Sequence, residues 1–383
     1  MSAVKGHILF LILMVANFAA QATWFEASGQ AVIHDGNKQA ARQIATQEAI
    51  KQALMFSGAS VKNVQTMANG LLEDDTLEIT SSGDVEHIEI IDEVYHKDYV
   101  TVSIRADIFP IETQCAASDY KKSIVTTWYD LQKRQQAAAG NLYDFGKTFA
   151  TRLQLESQKS SKFGYIKQVE PYYLKPLQSE QKNIAYELSR KTNSQFVIFG
   201  EIDEFSIERI PNNSWNPWGK DTITRNLAVT LTMYDGNSGD MVFRNHKTMS
   251  APWHFDLHQS IDSNSHMLWN SSFGLATQEL IEKSIEEVDE AISCQPAYGR
   301  VITTGNESLI INIGSQNGVK TGDQLTLFKM NQYYSPQGEQ RRQFHLHPEK
   351  VTVVEVFAET AIVKSPTGAL LMNIQANDFA ARQ

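Results

Sequence analysis

Residues 177–207 most constrain the fold of this chain, because an amphipathic helix pattern runs directly into a short apolar strand pattern. The helix predicted over 179–193 has three apolar residues on one face: Ile184, Ala185 and Leu188. The apolar run at 196–202 is too short to cross a membrane and is typical of a strand covered on both faces. The pattern therefore predicts a layered α/β domain in the middle of the chain.

The first 22 residues have the composition of a secretory signal peptide. Lys5 gives the basic start, residues 8–16 the apolar centre, and Ala20-Gln21-Ala22 a small-residue cleavage site. A membrane anchor is the alternative, but the apolar segment is short for a span and a cleavage site follows it. We therefore expect cleavage after Ala22 and export of the mature chain.

The charge balance of the 383-residue chain bears on its partners. The formal net charge is −10, and no basic cluster offsets it. Nucleic-acid-binding domains carry basic patches, so the sequence argues against nucleic acid and favours protein partners.

Two cysteines, Cys115 and Cys294, stand near the two ends of the predicted middle domain. In an oxidising compartment an even cysteine count favours a disulfide, here one that would close the domain. Such a bridge would stabilise the domain by about 4 to 5 kcal/mol through loop entropy. The alternative is two unrelated buried thiols, since the sequence does not give their separation.

A small α+β domain is predicted for residues 23–112. A strand over 24–33 leads to a helix over 37–56, and two strands follow over 84–92 and 99–110. The helix is expected to bury one apolar face: Ala41, Ile44, Ala45, Met55 and Phe56. The last strand alternates apolar and polar residues, as a half-buried strand does.

An α/β domain is predicted for residues 113–294, beginning with a strand over 123–128. Its first helix has an apolar face at spacings of three, four and four: Leu142, Phe145, Phe149 and Leu153. A hairpin over 226–249 turns at Gly236–Gly239, and a helix over 273–293 closes the domain. Residues 235–240 also resemble the start of a calcium loop, but their glycines are misplaced and no Glu closes it, which favours the hairpin.

An all-β domain is predicted for residues 295–383. Short strands over 309–313, 324–329, 349–357 and 360–364 are separated by turns that contain Gly, Asn or Pro. The compact double turn at 314–323 is typical of a strand re-entering a small barrel. The pattern predicts a small barrel or sandwich.

No stretch predicts a catalytic, cofactor or metal site. Ser118–Lys121 and Lys320–Gly322 match two of three penicillin-binding enzyme motifs, yet the third is absent and neither lies on the required element. Four residues recur at every fourth position and could line a helix as metal ligands: His254, His258, Asp262 and His266. Because Pro252 and several Ser and Asn residues interrupt the pattern, we favour a polar loop that binds no metal.

Three residues in a loop rich in Asn and Pro form a candidate interaction site: Trp215, Pro217 and Trp218. Loop aromatics either fold back on the core or anchor a partner, and aromatic anchors dominate interface energetics. The sequence leaves both interpretations open.

The order of these parts and three local stretches resemble the flagellar assembly protein T family. The stretches are AIKQALMFSGA at 49–59, FVIFG at 196–200 and IGSQNGVKTGD at 313–323. The resemblance covers the chain after the signal peptide. The middle block also looks like the amino-terminal domain of TolB, and the last block looks like an SH3-like barrel.

The resemblance implies a non-enzymatic, cofactor-free component of the H ring of the polar flagellar basal body. In this family the ring surrounds the LP ring, lies peripheral to the outer membrane, and supports the T ring and stators needed for motility. The implied partners are MotX and MotY of the T ring and the other H-ring proteins FlgO and FlgP. Because ring contacts gain strength by repetition, we expect a monomer in dilute solution and a ring in the basal body.

A free periplasmic adaptor, using a TolB-like domain as a docking platform, is the alternative function. Fractionation separates the two interpretations, since a ring component co-purifies with basal bodies and an adaptor stays soluble.

Overall fold

A computed structural model describes residues 23–382 apart from 35, 58–63, 75, 79–84, 109–119, 175–179, 212–220, 238, 294, 306, 335–339, 369–370 and 372–373. These residues form an N-terminal unit, a middle unit and a C-terminal barrel, built from two sheets and the helices packed on them. Among them no helix has both the length and the apolar character that crossing a bilayer requires.

Two helices packed on one face of an antiparallel sheet form the N-terminal unit. Its elements in chain order are β1 (Thr23–Val32), α1 (Lys38–Ser57), α2 (Val64–Asp74), β2 (Thr76–Glu78), β3 (Val85–Tyr95) and β4 (Tyr99–Ile108). The sheet order is β1-β4-β3-β2. The predicted β1, α1, β3 and β4 are confirmed, whereas α2 and β2 were missed.

Helix α1 approaches β1 closely because the seam between them is built from small residues. A Cβ atom on Gly29 would lie 2.1 Å from the carbonyl oxygen of Ala45 and 2.5 Å from the amide nitrogen of Ala49. The buried stripe of α1 accordingly has alanines four residues apart: Ala41, Ala45 and Ala49. The prediction that Ile44 is buried was wrong: its side chain is 54% exposed, because this alanine seam leaves Ile44 on the flank of the helix.

The middle unit has three layers. Its elements in chain order are β5 (Lys122–Trp128), β6 (Asp130–Leu131), α3 (Phe145–Ser160), β7 (Gly164–Tyr173), α4 (Gln181–Thr192), β8 (Phe196–Glu204), β9 (Ile207–Ile210), β10 (Thr222–Asp235), β11 (Met241–Pro252), α5 (His266–Trp269) and α6 (Ser272–Ser293). The sheet order is β11-β10-β8-β5-β7, with β5, β7 and β8 parallel and β10 and β11 antiparallel.

Strand β8 is buried on both faces, as its continuous apolar run predicts. Phe196 and Ile198 pack in the large core on the side of α3 and α6, and Val197 and Phe199 pack against α4 on the other side. The predicted apolar faces of α3 and α6 lie in that large core. The prediction that Leu142 lies on α3 was wrong, because the helix begins at Phe145, although Leu142 packs in the same core from the preceding turn. Strand β7 was missed in the sequence because its polar residues obscure the period of two.

A closed barrel of six strands forms the C-terminal unit. Its strands are β12 (Tyr298–Thr304), β13 (Ser308–Ile311), β14 (Gln324–Tyr334), β15 (Gln340–Val356), β16 (Ala361–Lys364) and β17 (Phe379–Arg382). The pairings run β12-β13-β16-β15-β14-β17 and return to β12. The predicted all-β domain is therefore a barrel and not a sandwich.

The barrel and the N-terminal unit share one ten-stranded sheet. Strand β15 extends beyond the barrel, and its residues 342–345 pair in parallel with residues 25–28 of β1. Phe328 and Phe379 of the barrel belong to the same apolar cluster as the N-terminal core. The first and last parts of the chain are therefore joined by both backbone pairing and apolar packing.

Candidate functional site at the junction of the middle unit and the barrel

A buried hydrogen-bond network joins the barrel to the middle unit at Arg300. This residue of β12 is 7% exposed, and its guanidinium Nη2 donates to Asn237 Oδ1 at 2.9 Å and to Ser189 Oγ at 3.4 Å. Asn237 Nδ2 in turn donates to Tyr298 Oη at 2.7 Å, and the Tyr298 hydroxyl donates to Asp235 Oδ2 at 3.1 Å. The β10–β11 turn and α4 are thereby held against one strand of the barrel.

Burial lowers the pKa of Arg300, with Arg190 lowering it further and Tyr298 and Asp235 opposing the shift. Beside this network lies a cavity of about 10 Å³, lined by polar side chains such as Ser123, Ser194 and Asn312. That volume fits a single water molecule, which buried polar groups of this kind bind. The junction is therefore a polar contact with space for one water molecule.

A second contact joins the start of the middle unit to the barrel. Tyr120 lies in the apolar core of the barrel, and its hydroxyl donates to Asp323 Oδ2 at 2.5 Å. The Lys121 amide donates to the Asn317 carbonyl, and Asn317 Nδ2 donates back to the Lys121 carbonyl, both at 2.8 Å. Burial alone would raise the pKa of Asp323, but the bonds from Tyr120 and the Lys320 amide outweigh it and lower the pKa.

Inside the middle unit, the Arg225 guanidinium is fully buried among aromatic rings. Its Cζ atom lies 4.1 Å from the Trp253 ring centre and 4.3 Å from that of Phe205, and Nη2 donates to the Ala139 carbonyl. Its Nε and Nη1 atoms have no hydrogen-bond partner among the described residues, and burial lowers the pKa of Arg225 to about 9. Aromatic stacking on the guanidinium face is the contact that offsets the lost hydration.

Lys122, at the start of β5, is a second fully buried cation. Its Nζ atom lies 5.5 Å from the Phe163 ring centre and has no hydrogen-bond partner in the part of the chain that the structure describes. Burial lowers the pKa of Lys122 from 10.5 to about 8, although the Asp289 carboxylate opposes the shift. A shift of this size corresponds to about 3 kcal/mol of unfavourable free energy for the charged form.

We expect Lys122→Met to raise the free energy of unfolding by about 2 kcal/mol at pH 7, because it removes a buried charge that Asp289 offsets only in part and keeps the side-chain volume. The unfolded chain keeps the lysine proton up to its ordinary pKa, so the wild-type penalty is complete below pH 8 and disappears as the pH rises from 8 to 10.5. The stability gained by Lys122→Met, measured by urea titration, should therefore fall as the pH rises from 8 to 10.5. Lys121→Met is the matched control: Lys121 Nζ donates to the Ser161 carbonyl, so losing this hydrogen bond should lower the free energy of unfolding. An equal gain in stability for both variants would contradict the account.

Three family models match the chain. The N-terminal domain of flagellar assembly protein T matches residues 23–110, its middle domain matches 113–263, and its C-terminal domain matches 306–382. Together they cover well over half of the sequence. The chain belongs to the flagellar assembly protein T family. Membership confirms the resemblance and assigns the chain to flagellar assembly, as a structural component of the basal body.

Solved structures resemble parts of the fold at low sequence identity. The hypothetical protein CT253 from Chlamydia trachomatis is 12% identical with a TM-score of 0.30, over 45% of this chain and 98% of that protein. The PelC dodecamer from Paraburkholderia phytofirmans is 13% identical with a TM-score of 0.27, over 47% and 90%. TolB from Acinetobacter baumannii is 11% identical with a TM-score of 0.20, over 66% of this chain and 49% of TolB. No curated protein sequence matches the chain.

The candidate metal ligands do not share one helix face. His254, His258 and Asp262 lie in the connection between β11 and α5, and His266 begins the four-residue α5. His254 Nε2 lies 3.1 Å from Ser272 Oγ, and Asp262 Oδ1 accepts from the Asn264 amide. Across the residues that the structure describes, no three His, Cys, Asp or Glu side chains group as metal ligands would. The segment is a polar loop.

Several predicted positions lie outside the described residues. They are the signal peptide with its cleavage site at Ala22, the disulfide candidates Cys115 and Cys294, and the interaction loop with Trp215, Pro217 and Trp218. The disulfide and the aromatic loop stay predictions.

The junction residues were missed as a site, although the sequence marked two of the segments that hold them. The calcium-like stretch at 235–240 is the predicted hairpin turn, and its Asp235 and Asn237 side chains bind the barrel. The described part of the first penicillin-binding-like motif lies near the second, since the Tyr120 hydroxyl and the Lys320 amide both donate to Asp323. Tyr120 is buried in the barrel core there, so its position is that of a residue that supports the fold.

Proposed function

We propose that this protein is a building block of the H ring, which surrounds the LP ring of the flagellar basal body and supports the T ring and the stators. The observation that carries the proposal is that the barrel is bonded to both other units. Strand β15 pairs with β1 of the N-terminal unit, and Arg300 of β12 bonds to the middle unit. Such a body holds its outer surfaces at fixed positions, as a ring subunit requires.

The place of action that we propose is the periplasm, at the inner side of the outer membrane. The signal peptide pattern and the membership in a flagellar family support it. The proposed partners are MotX and MotY of the T ring and the H-ring proteins FlgO and FlgP. We also propose domain boundaries at 112/113 and 294/295, a TolB-like fold for the middle domain and an SH3-like fold for the barrel.

A deletion strain tests the function. We expect cells that lack the protein to lose most of their swimming, and an affinity-tagged copy that restores swimming to co-purify with basal bodies. An adaptor would instead remain in the soluble fraction after the basal bodies have been sedimented. Normal swimming of the deletion strain would overturn the proposed function.

A further inference from the structure

Sheet edges show where another chain can add a strand, and some edges of this protein are closed or partly covered. The barrel is closed, and residues 25–28 of β1 pair with β15. The start of β7 is contacted by side chains of α3: Gln154 Nε2 donates to the Lys167 carbonyl, and Gln158 Nε2 donates to the Ile166 carbonyl. Blocking an edge in this way is how natural proteins prevent unwanted pairing.

Strands β3 and β11 each have a run of at least five residues with no strand partner on one side, within the described residues. Strand β11 pairs with β10 on one side only, along its full length of 12 residues. Strand β3 pairs with β4 on one side, and on the other side β2 covers only residues 87–89. Residues 91–95 of β3 and residues 241–252 of β11 therefore present unpaired backbone groups, and we call them the β3 edge and the β11 edge.

The β11 edge is positively charged. It carries Arg244 and Lys247 and no acidic residue. Lys247 forms an ion pair with Glu287 of α6, whereas the exposed Arg244 has no ion-pair partner among the described residues. One unpaired cation therefore marks this edge.

The β3 edge is apolar and acidic. Ile91, Val94 and Tyr95 are 36%, 40% and 43% exposed, which is high for apolar residues on a strand. Glu93 forms an ion pair with Arg42, whereas the exposed Asp92 has no ion-pair partner among the described residues. This edge therefore offers apolar area, backbone groups and one unpaired anion.

We propose that the β3 edge of one copy pairs with the β11 edge of the next copy, with Asp92 of the first copy near Arg244 of the second. The two edges belong to different units of the chain, so the contact is head-to-tail, and repeated head-to-tail contacts close a ring when their rotation allows it. The inference rests on the proposed ring function and names the surfaces that would build the ring.

Features of both edges keep this pairing weak. The β3 edge is only five residues long and has a bulge between Ile90 and Asp92, and the β11 edge carries Lys247 and ends at Pro252. Bulges, lysines and prolines all oppose edge pairing. A single contact of this kind leaves the protein monomeric in dilute solution, and pairing occurs where the basal body concentrates the subunits.

Charge reversal tests the pairing in cells. We expect Arg244→Glu and Asp92→Arg each to lower the amount of protein that co-purifies with basal bodies about fivefold, because each places like charges at the contact. The double variant D92R/R244E restores the opposite charges and should recover most of the loss. Lys133→Glu and Glu290→Arg are matched controls, since both residues are exposed and lie on neither edge.

Site-specific photocrosslinking tests the contact directly. A benzophenone amino acid at Val94 should link two copies of the chain, with the crosslinked peptide mapping to residues 241–252. Linkage to a different protein, or to another part of this chain, would overturn the proposal, as would single charge reversals that co-purify normally. A deletion strain that still fails to swim in that case would leave the proposed function intact and reject only these edges.

Discussion

Gly29→Val is expected to unfold the N-terminal unit, with a loss of about 4 kcal/mol or more. A Cβ atom at this position would lie 2.1 Å from the Ala45 carbonyl oxygen and 2.5 Å from the Ala49 amide nitrogen. Both atoms belong to the backbone of α1, so no side-chain rotation relieves the overlap, and the helix must leave the sheet. Circular dichroism during urea unfolding of the full chain measures the loss, and limited proteolysis locates it.

A variant of a second glycine, Gly36, is the control for the general cost of replacing glycine. Gly36 has φ +72° and nothing within 4 Å of the position of its Cβ. We expect Gly36→Ala to cost only about 1 kcal/mol, from the left-handed backbone alone. Equal unfolding midpoints for the two variants would contradict the close approach of α1 to β1.

Arg300→Ala is expected to destabilise the junction by about 3 kcal/mol and to separate the unfolding of the barrel from that of the middle unit. The substitution removes the two buried hydrogen bonds that Arg300 Nη2 donates, to Asn237 Oδ1 and to Ser189 Oγ. Two calorimetric transitions should replace one, and small-angle X-ray scattering should record a larger radius of gyration.

Arg190→Ala is the matched control at the same junction. Arg190 Nη2 donates to Asn377 Oδ1 at 3.1 Å in an exposed position, where such bonds contribute about 0.5 kcal/mol. A single unchanged transition for Arg300→Ala would show that the buried network does not hold the two units together.

Periodic segments of the sequence predicted their elements correctly because one face of each is buried in a core. The α3 and α6 stripes and the alternation in β4 are of this kind. Failures occurred where packing follows another rule. The α1 seam requires small residues beside Gly29, so the buried face of α1 consists of alanines, and the large apolar Ile44 was wrongly predicted to be buried. The four-residue β17 was missed because it is too short to show a period.

The contacts at the junction could not be predicted from the sequence, for a different reason. Arg300, Asn237 and Ser189 come from three elements far apart in the chain, and none belongs to a recognisable motif. Arginine is ordinarily exposed, so neither Arg300 nor the buried Arg225 stands out in the sequence. The resemblance to a family identified the biological role, but contacts between the units required the structure.

Electron cryotomography of basal bodies tests the central claim, that the protein acts as a structural subunit of a ring, most directly. In cells that lack the protein, we predict that averaged basal bodies lose ring density around the LP ring, and that the wild-type chain supplied in trans restores it. Unchanged ring density in the deletion strain would contradict the claim.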